Sequence, residues 1–95
     1  MKRSAEFDCK VGKLSFDVTI MEEPTERLTF FFMAEEQTKQ NFDLYNEGII
    51  RVTCDKERTP RVFVIPSHDP RFKRELTVYI HDYIAQFRTD SELPN

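Results

Sequence analysis

Glycine, tryptophan and long apolar runs are what this 95-residue sequence has least of, since it holds 2 Gly and no Trp. Gly12 and Gly48 both fall where hairpin turns are expected, so they cannot form a glycine-rich phosphate-binding loop. No apolar run approaches the roughly 20 residues that a membrane-spanning helix requires. The first residues, MKRSAEFDCKVG, also lack the apolar centre of a secretion signal. We therefore expect no membrane partner and a cytoplasmic location.

Cysteine and histidine are scarce too, with 2 of each. Cys9 and Cys54 lie far apart, without the short spacing that zinc sites and redox pairs normally use. Alternation puts both on the apolar faces of predicted strands, where a reduced thiol acts as a small apolar side chain. A zinc site would need both cysteines to converge with His68 and His81, so we expect no metal and no cofactor.

Charge is plentiful, at 33% of the residues with a net charge of −3, and it is unevenly spread. Residues 1–50 carry 6 basic and 10 acidic side chains, whereas residues 56–74 carry 6 basic and 2 acidic ones. Such an asymmetry can steer a charged partner. It is weaker than the strongly basic face expected of a nucleic-acid-binding domain.

Alternating apolar residues predict an antiparallel β-meander of about six strands over residues 6–65. The first hairpin is expected to turn at Gly12 and Lys13, in a type II′ geometry. Its predicted pairs are Val11 with Leu14, Cys9 with Phe16 and Phe7 with Val18. The remaining strands are expected at residues 27–35, 41–45, 49–54 and 61–65, with residues 46–48 as a three-residue hairpin loop between two of them.

The last part of the chain has a helical pattern. Asp69 can cap a helix and Pro70 suits the first helical position. Apolar residues spaced by four, seven and eight then predict an amphipathic helix over residues 70–88, followed by a frayed tail over residues 89–95. The fold class is therefore α+β, a single domain over residues 1–95 with the helix packed on the sheet.

One helix cannot cover a flat sheet of this predicted width. Six strands at a spacing of about 4.8 Å span about 30 Å, whereas a helix is about 10–12 Å across. We therefore expect either that the sheet curls into a partial barrel around the helix or that two chains pack together as a dimer.

The segment LTFFFMAEE, residues 28–36, is apolar on both faces of its predicted strand. Leu28, Phe30 and Phe32 form the core face, so Phe31 and Met33 point to the opposite side. Large apolar groups gathered on an open sheet face indicate an interaction surface, and a curled sheet that encloses them is the alternative. The predicted partner-binding residues are Phe31, Met33, Tyr45 and Ile49, with Glu35 and Glu36 as an acidic rim.

No catalytic constellation is evident. Ser67, His68 and Asp69 are consecutive, and adjacent residues cannot converge as nucleophile, base and orienting group. We therefore expect a non-enzymatic protein–protein interaction module: a small acidic inhibitor, an immunity or anti-defence protein, or an adaptor, bound to a partner protein or to a second copy.

Two other functions remain open from the sequence. The first is nucleic-acid or phospholigand binding through residues 58–74, because basic side chains and a helix N-terminus both attract phosphate. Its candidate residues are Arg58, Arg61, Arg71, Lys73 and Arg74. The second is a small enzyme or enzyme subunit whose site forms across a dimer and uses the titratable groups of His68, Asp69 and His81.

Overall fold

The computed structural model describes residues 2–9, 12–24, 27–55 and 57–87. Within these residues, four strands form one antiparallel sheet in the order β1-β2-β3-β4. The strands are β1 (Lys2–Cys9), β2 (Gly12–Glu22), β3 (Leu28–Ala34) and β4 (Ile49–Cys54). The helices are α1 (Glu36–Phe42) and α2 (Pro70–Gln86), and a single 3-10 turn spans Asn46–Gly48. The prediction of an α+β fold with an antiparallel sheet and a C-terminal helix is confirmed.

Helix α2 covers one face of the sheet, which we call the inner face. The alternation in β2 and β3 sends their large apolar side chains there, and Phe16, Phe30 and Phe32 are fully buried. Aromatic contacts join sheet and helix: the ring centroids of Phe30 and Phe87 are 5.2 Å apart, and those of Phe32 and Tyr83 are 5.5 Å apart. The buried positions of α2 are Phe72, Leu76, Ile80 and Ile84. The predicted amphipathic stripe is therefore the stripe that packs.

The start of α2 is fixed by a side-chain cap, as predicted. One carboxylate oxygen of Asp69 accepts hydrogen bonds from the backbone N–H groups of Arg71, at 2.9 Å, and Phe72, at 3.4 Å. Pro70 occupies the first turn, where its missing N–H costs nothing. The cap therefore satisfies two of the N–H groups that the first turn of a helix leaves unpaired.

The predicted register of the first hairpin is wrong by four residues. Phe7 pairs with Leu14 and Cys9 with Gly12, so Gly12 and Lys13 belong to β2 and not to a two-residue turn. Val11, which was predicted to pair with Leu14, lies outside the described residues. A shift by an even number leaves every side chain on its face, so apolar alternation alone cannot distinguish the two registers.

The predicted fourth strand, residues 41–45, is also wrong. Residues 36–42 form α1, and β3 pairs directly with β4, placing Phe30 opposite Val52 and Phe32 opposite Ile50. The hydroxyl of the buried Thr38 in α1 accepts a hydrogen bond from the Ser15 N–H at 3.0 Å. The predicted loop over residues 46–48 is the 3-10 turn instead. The alternation over residues 41–45 covers only five residues, which is too few to distinguish a strand from the end of a polar helix.

The predicted sixth strand, residues 61–65, makes only the start of a ladder. Pro60 forms an isolated bridge with Cys54, and the Arg61 N–H donates to the Thr53 carbonyl at 2.8 Å. A continued ladder would put residues 63 and 65 opposite residues 51 and 49, on the face away from α2. Ile65 instead enters the core on the α2 side, so the segment must leave the sheet after Arg61.

The predicted partial barrel is not confirmed. In the described sheet β1 and β4 are the two outermost strands and do not pair with each other. Four strands instead of six reduce the mismatch in width that motivated curling, and residues 63 and 65 cover the part of the inner face that α2 leaves. The predicted frayed tail, residues 89–95, lies outside the described residues.

Gly48 provides a test of the junction between β3, α1 and β4. Its φ is +66°, and a Cβ atom there would lie 2.7 Å from the Ala34 Cβ and 2.9 Å from the Lys39 Cγ. We expect Gly48→Ala to lower the free energy of unfolding by about 2–4 kcal/mol, from backbone strain plus overpacking. Urea denaturation followed by circular dichroism measures the change.

The matched control is Gly12→Ala, because Gly12 has a φ of +148° and, apart from its chain neighbours, no described atom within 4 Å of an added Cβ. It should show the cost of backbone strain without a clash, about 1–3 kcal/mol. Equal losses for the two variants would contradict the packing assigned to Gly48.

Candidate functional site

The face of the sheet turned away from α2, the outer face, carries an apolar patch. We define the outer patch as Met21, Phe31, Met33 and Ile49. Met33 lies opposite Ile49 across the β3–β4 ladder, and Phe31 follows two residues before Met33 on the same face. Met33 is 46% exposed and Met21 54%, while Phe31 and Ile49 are half-buried. Met33 and Met21 are thus the members exposed to solvent, whereas Thr29, opposite Met21 on the same face, is buried.

Charged side chains of both signs surround the outer patch. Asp17 lies opposite Met33 on β2, and Arg51 lies opposite Phe31 on β4 with its guanidinium 5.9 Å from the centre of the Phe31 ring. Glu35 is exposed and extends the β2–β3 pairing by one residue, because its N–H donates to the Ser15 carbonyl at 3.0 Å. By alternation, Glu35 shares the outer face with Met33.

Two residues predicted for this surface are used elsewhere. The ring of Tyr45 stacks on His68 with 4.8 Å between centroids, and its N–H donates to the Pro66 carbonyl, so it does not join Ile49 on the outer face. Glu36 begins α1 and pairs with Lys39 at 2.8 Å, an interaction that lowers the pKa of the Glu36 carboxyl. Of the predicted acidic rim, Glu35 remains beside the outer patch, and Asp17 joins it there.

Met21 belongs to the outer patch although it was not among the predicted residues. It comes two residues after Thr19 on the outer face of β2, and it lies opposite Thr29 of β3. The second strand was predicted over residues 14–20, one residue short of Met21. Continuing its alternation by one position would have placed Met21 on the outer face.

The five basic residues of the predicted phosphate site are not gathered around one cleft. Arg71 lines the cleft described below, whereas Arg58 and Arg61 lie in the connection after β4. Lys73 and Arg74 are exposed on the first turns of α2. The helix N-terminus, which was expected to attract phosphate, already has the Asp69 carboxylate on its N–H groups.

Of the three titratable residues of the predicted enzyme site, His68 and Asp69 line the cleft described below, and His81 lies apart from them. His68 stacks on Tyr45, Asp69 caps α2, and the ring of His81 lies 5.7 Å from that of Phe63. Within the described residues, no group of three or more His, Cys, Asp or Glu side chains is placed to hold a metal ion. None of these contacts forms a nucleophile–base pair of the kind that covalent catalysis needs.

A cleft of about 600 Å³ opens where α1, residues 67–69 and the start of α2 meet near the end of β1. Its apolar wall is the stacked pair Phe42 and Phe72, with ring centroids 4.9 Å apart. Its polar lining comprises Asn41, Asp43, Ser67, His68, Asp69, Arg71 and Glu75, together with the Cys9 thiol. The sequence reasoning missed this cleft because α1, which supplies one wall, was not predicted.

The cleft is bordered by a contact between the helix and the first strand. The Tyr79 hydroxyl lies 2.6 Å from the Asp8 carbonyl and 2.9 Å from the Glu75 carboxylate. The hydrogen bond to Glu75 is the main reason that the pKa of Tyr79 is raised. Glu75 is therefore engaged, and it contributes less free acceptor capacity to the cleft than its position implies.

Comparisons of the chain with models of protein families, with curated proteins and with solved structures found no match. Among the described residues, no helix has both the length and the apolar character that crossing a membrane requires.

The two thiols offer a test of the site geometry. Cys54 is fully buried on the inner face, and burial raises the pKa of its thiol to about 11, whereas Cys9 is half-buried and borders the cleft. At pH 8 the Cys54 thiolate is then a minor species of about one part in a thousand. We expect iodoacetamide to label Cys9 in the native protein and Cys54 only in urea, as read by intact-mass spectrometry.

The Cys9→Ser variant is the control, since it leaves Cys54 as the only cysteine. Rapid labelling of that native variant would show that Cys54 is accessible and would contradict its place in the core.

Proposed function

We propose that this protein is a non-enzymatic interaction module that binds a partner protein through the outer patch. The observation that carries the proposal is the exposure of Met33 and Met21, at 46% and 54%, on a sheet face that α2 leaves open. Exposed apolar groups gathered in one place mark interaction surfaces more often than bare surface does.

The composition of the outer patch suits binding. Met33 and Met21 have flexible, polarisable side chains that adapt to irregular partner surfaces. Phe31 sits between them and Arg51, and an aromatic ring beside an arginine is a combination found in binding hot spots. An ordinary solvent-facing strand would carry polar residues at these alternate positions. The patch therefore departs from the pattern that solubility alone favours.

The charges around the patch indicate how a partner is oriented. Asp17 and Glu35 lie on the Met33 side, whereas Arg51 lies on the Phe31 side. A partner with the opposite arrangement of charge would be favoured, since complementary rims govern orientation and association rate more than affinity. With a net charge of −3, the chain fits an inhibitor, an immunity or anti-defence protein, or an adaptor.

A cytoplasmic location is part of the proposal. Cys9 and Cys54 are both free thiols, and free thiols persist in the reducing compartments of the cell. Homodimerisation through the same patch is the alternative that the experiment below separates. Phosphate binding is disfavoured, because the Asp69 carboxylate holds the N–H groups of the helix start and repels an anion there.

Met33→Glu tests the proposal. Because Met33 is half-exposed on an outer face, we expect the variant to fold, with a slightly lower thermal midpoint since the new carboxylate lies opposite Asp17. A partner protein that packs on the patch should bind the variant at least about tenfold more weakly, because an apolar contact is replaced by a carboxylate that must lose its water. Affinity capture with mass spectrometry identifies the partner, and calorimetry with the purified partner measures the loss.

Val78→Glu is the matched control, since Val78 is 53% exposed on α2, which covers the opposite face of the sheet. It should bind the partner as the parent chain does. Equal capture by all three proteins would remove the outer patch from the interaction, and capture of the chain alone would indicate a homodimer.

A further inference from the structure

Residues 61–65, which we call the flank segment, run beside β4 without completing a ladder. The flank segment reads Arg-Val-Phe-Val-Ile and lies between Pro60 and Pro66. Val62 is 99% exposed and Val64 67%, whereas Ile65 is buried. Two β-branched side chains this exposed, two residues apart, are unusual on a surface that nothing covers.

The backbone of the flank segment is unpaired at its centre. The Arg61 N–H donates to the Thr53 carbonyl, and the Ile65 carbonyl accepts from the Ser67 N–H. Between them, in the described part of the chain, no hydrogen bond is made by the main chain of Val62, Phe63 or Val64. A run of free N–H and C=O groups on an extended segment is a template for another strand.

The edge of β4 is open at the same place. The Thr53 carbonyl accepts a hydrogen bond from Arg61, which lies outside the β3–β4 ladder, so the main-chain groups of Thr53 face away from β3. Every second residue of a strand faces the same side, so the N–H and C=O of Arg51 also face away from β3. No described residue beyond the sheet bonds to the Arg51 main chain. Unpaired main-chain groups therefore occur both on the flank segment and on the edge of β4 from which that segment departs.

The flank segment is held in place before any partner arrives. Its start is tied to β4 by the Pro60 bridge and the Arg61 N–H, and the Pro66 carbonyl at its end accepts the Tyr45 N–H. Between these anchors Phe63 packs against the ring of His81 and Ile65 enters the core. A strand fixed at both ends loses little entropy on pairing, which favours binding.

Charge favours one kind of occupant. Arg51 and Arg61 are both exposed at this edge, whereas residues 57–66 contain a single acidic side chain, Glu57. Asp55, in the preceding turn, has a carboxylate oxygen that accepts the N–H groups of Glu57 and Thr59. A second copy of the chain would bring the arginines of both copies together, so an acidic strand is the better match.

We propose that the flank segment and the adjoining edge of β4 dock an extended acidic segment of a partner protein by strand addition. Main-chain hydrogen bonds would supply the pairing, β-branched residues at alternate positions would pack on Val62 and Val64, and acidic residues would meet Arg61 and Arg51. The surface adjoins the outer patch at Arg51, but its pairing groups belong to the main chain of β4 and the flank segment, so this inference does not depend on the interaction proposed there.

The test selects random linear peptides displayed on phage against the immobilised full chain, and then measures synthetic peptides by fluorescence anisotropy. We expect enrichment of peptides that combine acidic residues with alternating β-branched ones. N-methylation of the best peptide, position by position, should weaken binding by about tenfold or more at every second residue, because alternate N–H groups face the pairing edge.

Arg61→Glu and Val62→Asp should each abolish peptide binding without changing the circular dichroism spectrum, because both side chains are exposed. Met33→Glu, on the outer patch, is the matched control and should bind the peptide normally. That difference separates failure of this proposal from failure of the interaction through the outer patch.

Three results would overturn the proposal. The first is a selection that enriches no acidic, β-branched sequence. The second is binding that is indifferent to Arg61→Glu, or that shows no two-residue period on N-methylation. The third is a concentration-dependent dimer in analytical ultracentrifugation that Val62→Asp abolishes, since a second copy would then be the occupant.

Discussion

The packing of α2 against the inner face of the sheet is the constraint on which the rest of the molecule depends. A single long helix can cover only one face of a four-stranded sheet, and here the contact between them is largely aromatic. The ring of Phe7 contacts that of Tyr79, Phe30 contacts Phe87, and Phe32 contacts Tyr83. Aromatic pairs of this kind bury large areas and fix the direction of their neighbours. Because α2, the longer of the two helices in the described residues, packs there, Met21 and Met33 on the outer face remain exposed.

The same constraint explains the route of the chain after β4. The inner face is wider than one helix, so its β4 side needs another cover, and Phe63 and Ile65 provide it. Because Phe63 and Ile65 turn to the inner face, the flank segment does not continue the pairing with β4 that begins at Pro60 and Arg61. Burial of two large apolar side chains replaces a few main-chain hydrogen bonds, which water can supply at little net cost. The open edge is a by-product of closing the core.

Much of the fold could be predicted from the sequence, because its alternating and helical patterns are long enough to be distinctive. The faces of β2 and β3 and the extent of α2 follow from periodicity and from the Asp69–Pro70 start. The register of β1 with β2 could not be predicted, since an even shift preserves every face. Helix α1 was missed because its seven residues are almost entirely polar and bury only Thr38.

The candidate site divides along the same line. Phe31, Met33 and Ile49 were predicted from strand parity, which is a local property, and they do lie on the outer face. Tyr45 was misassigned because its position depends on α1 and on the loop that ends at His68. The cleft and the flank segment depend on contacts between distant parts of the chain, where sequence patterns give little information. Alternation along a strand identifies the face of the sheet on which a side chain lies, but tertiary contacts decide what covers that face.

The strand order has a consequence for how the molecule assembles. Each ladder joins strands that are neighbours in the chain, so the sheet can grow by successive local steps, which favours rapid folding. The contacts that close the core are of another kind, as in the bond from the Tyr79 hydroxyl to the Asp8 carbonyl, which joins residues 71 positions apart. During synthesis from the N-terminus, the phenylalanines of the sheet therefore have no helix to pack against until α2 has emerged. That interval is when a chaperone would have most reason to hold this chain.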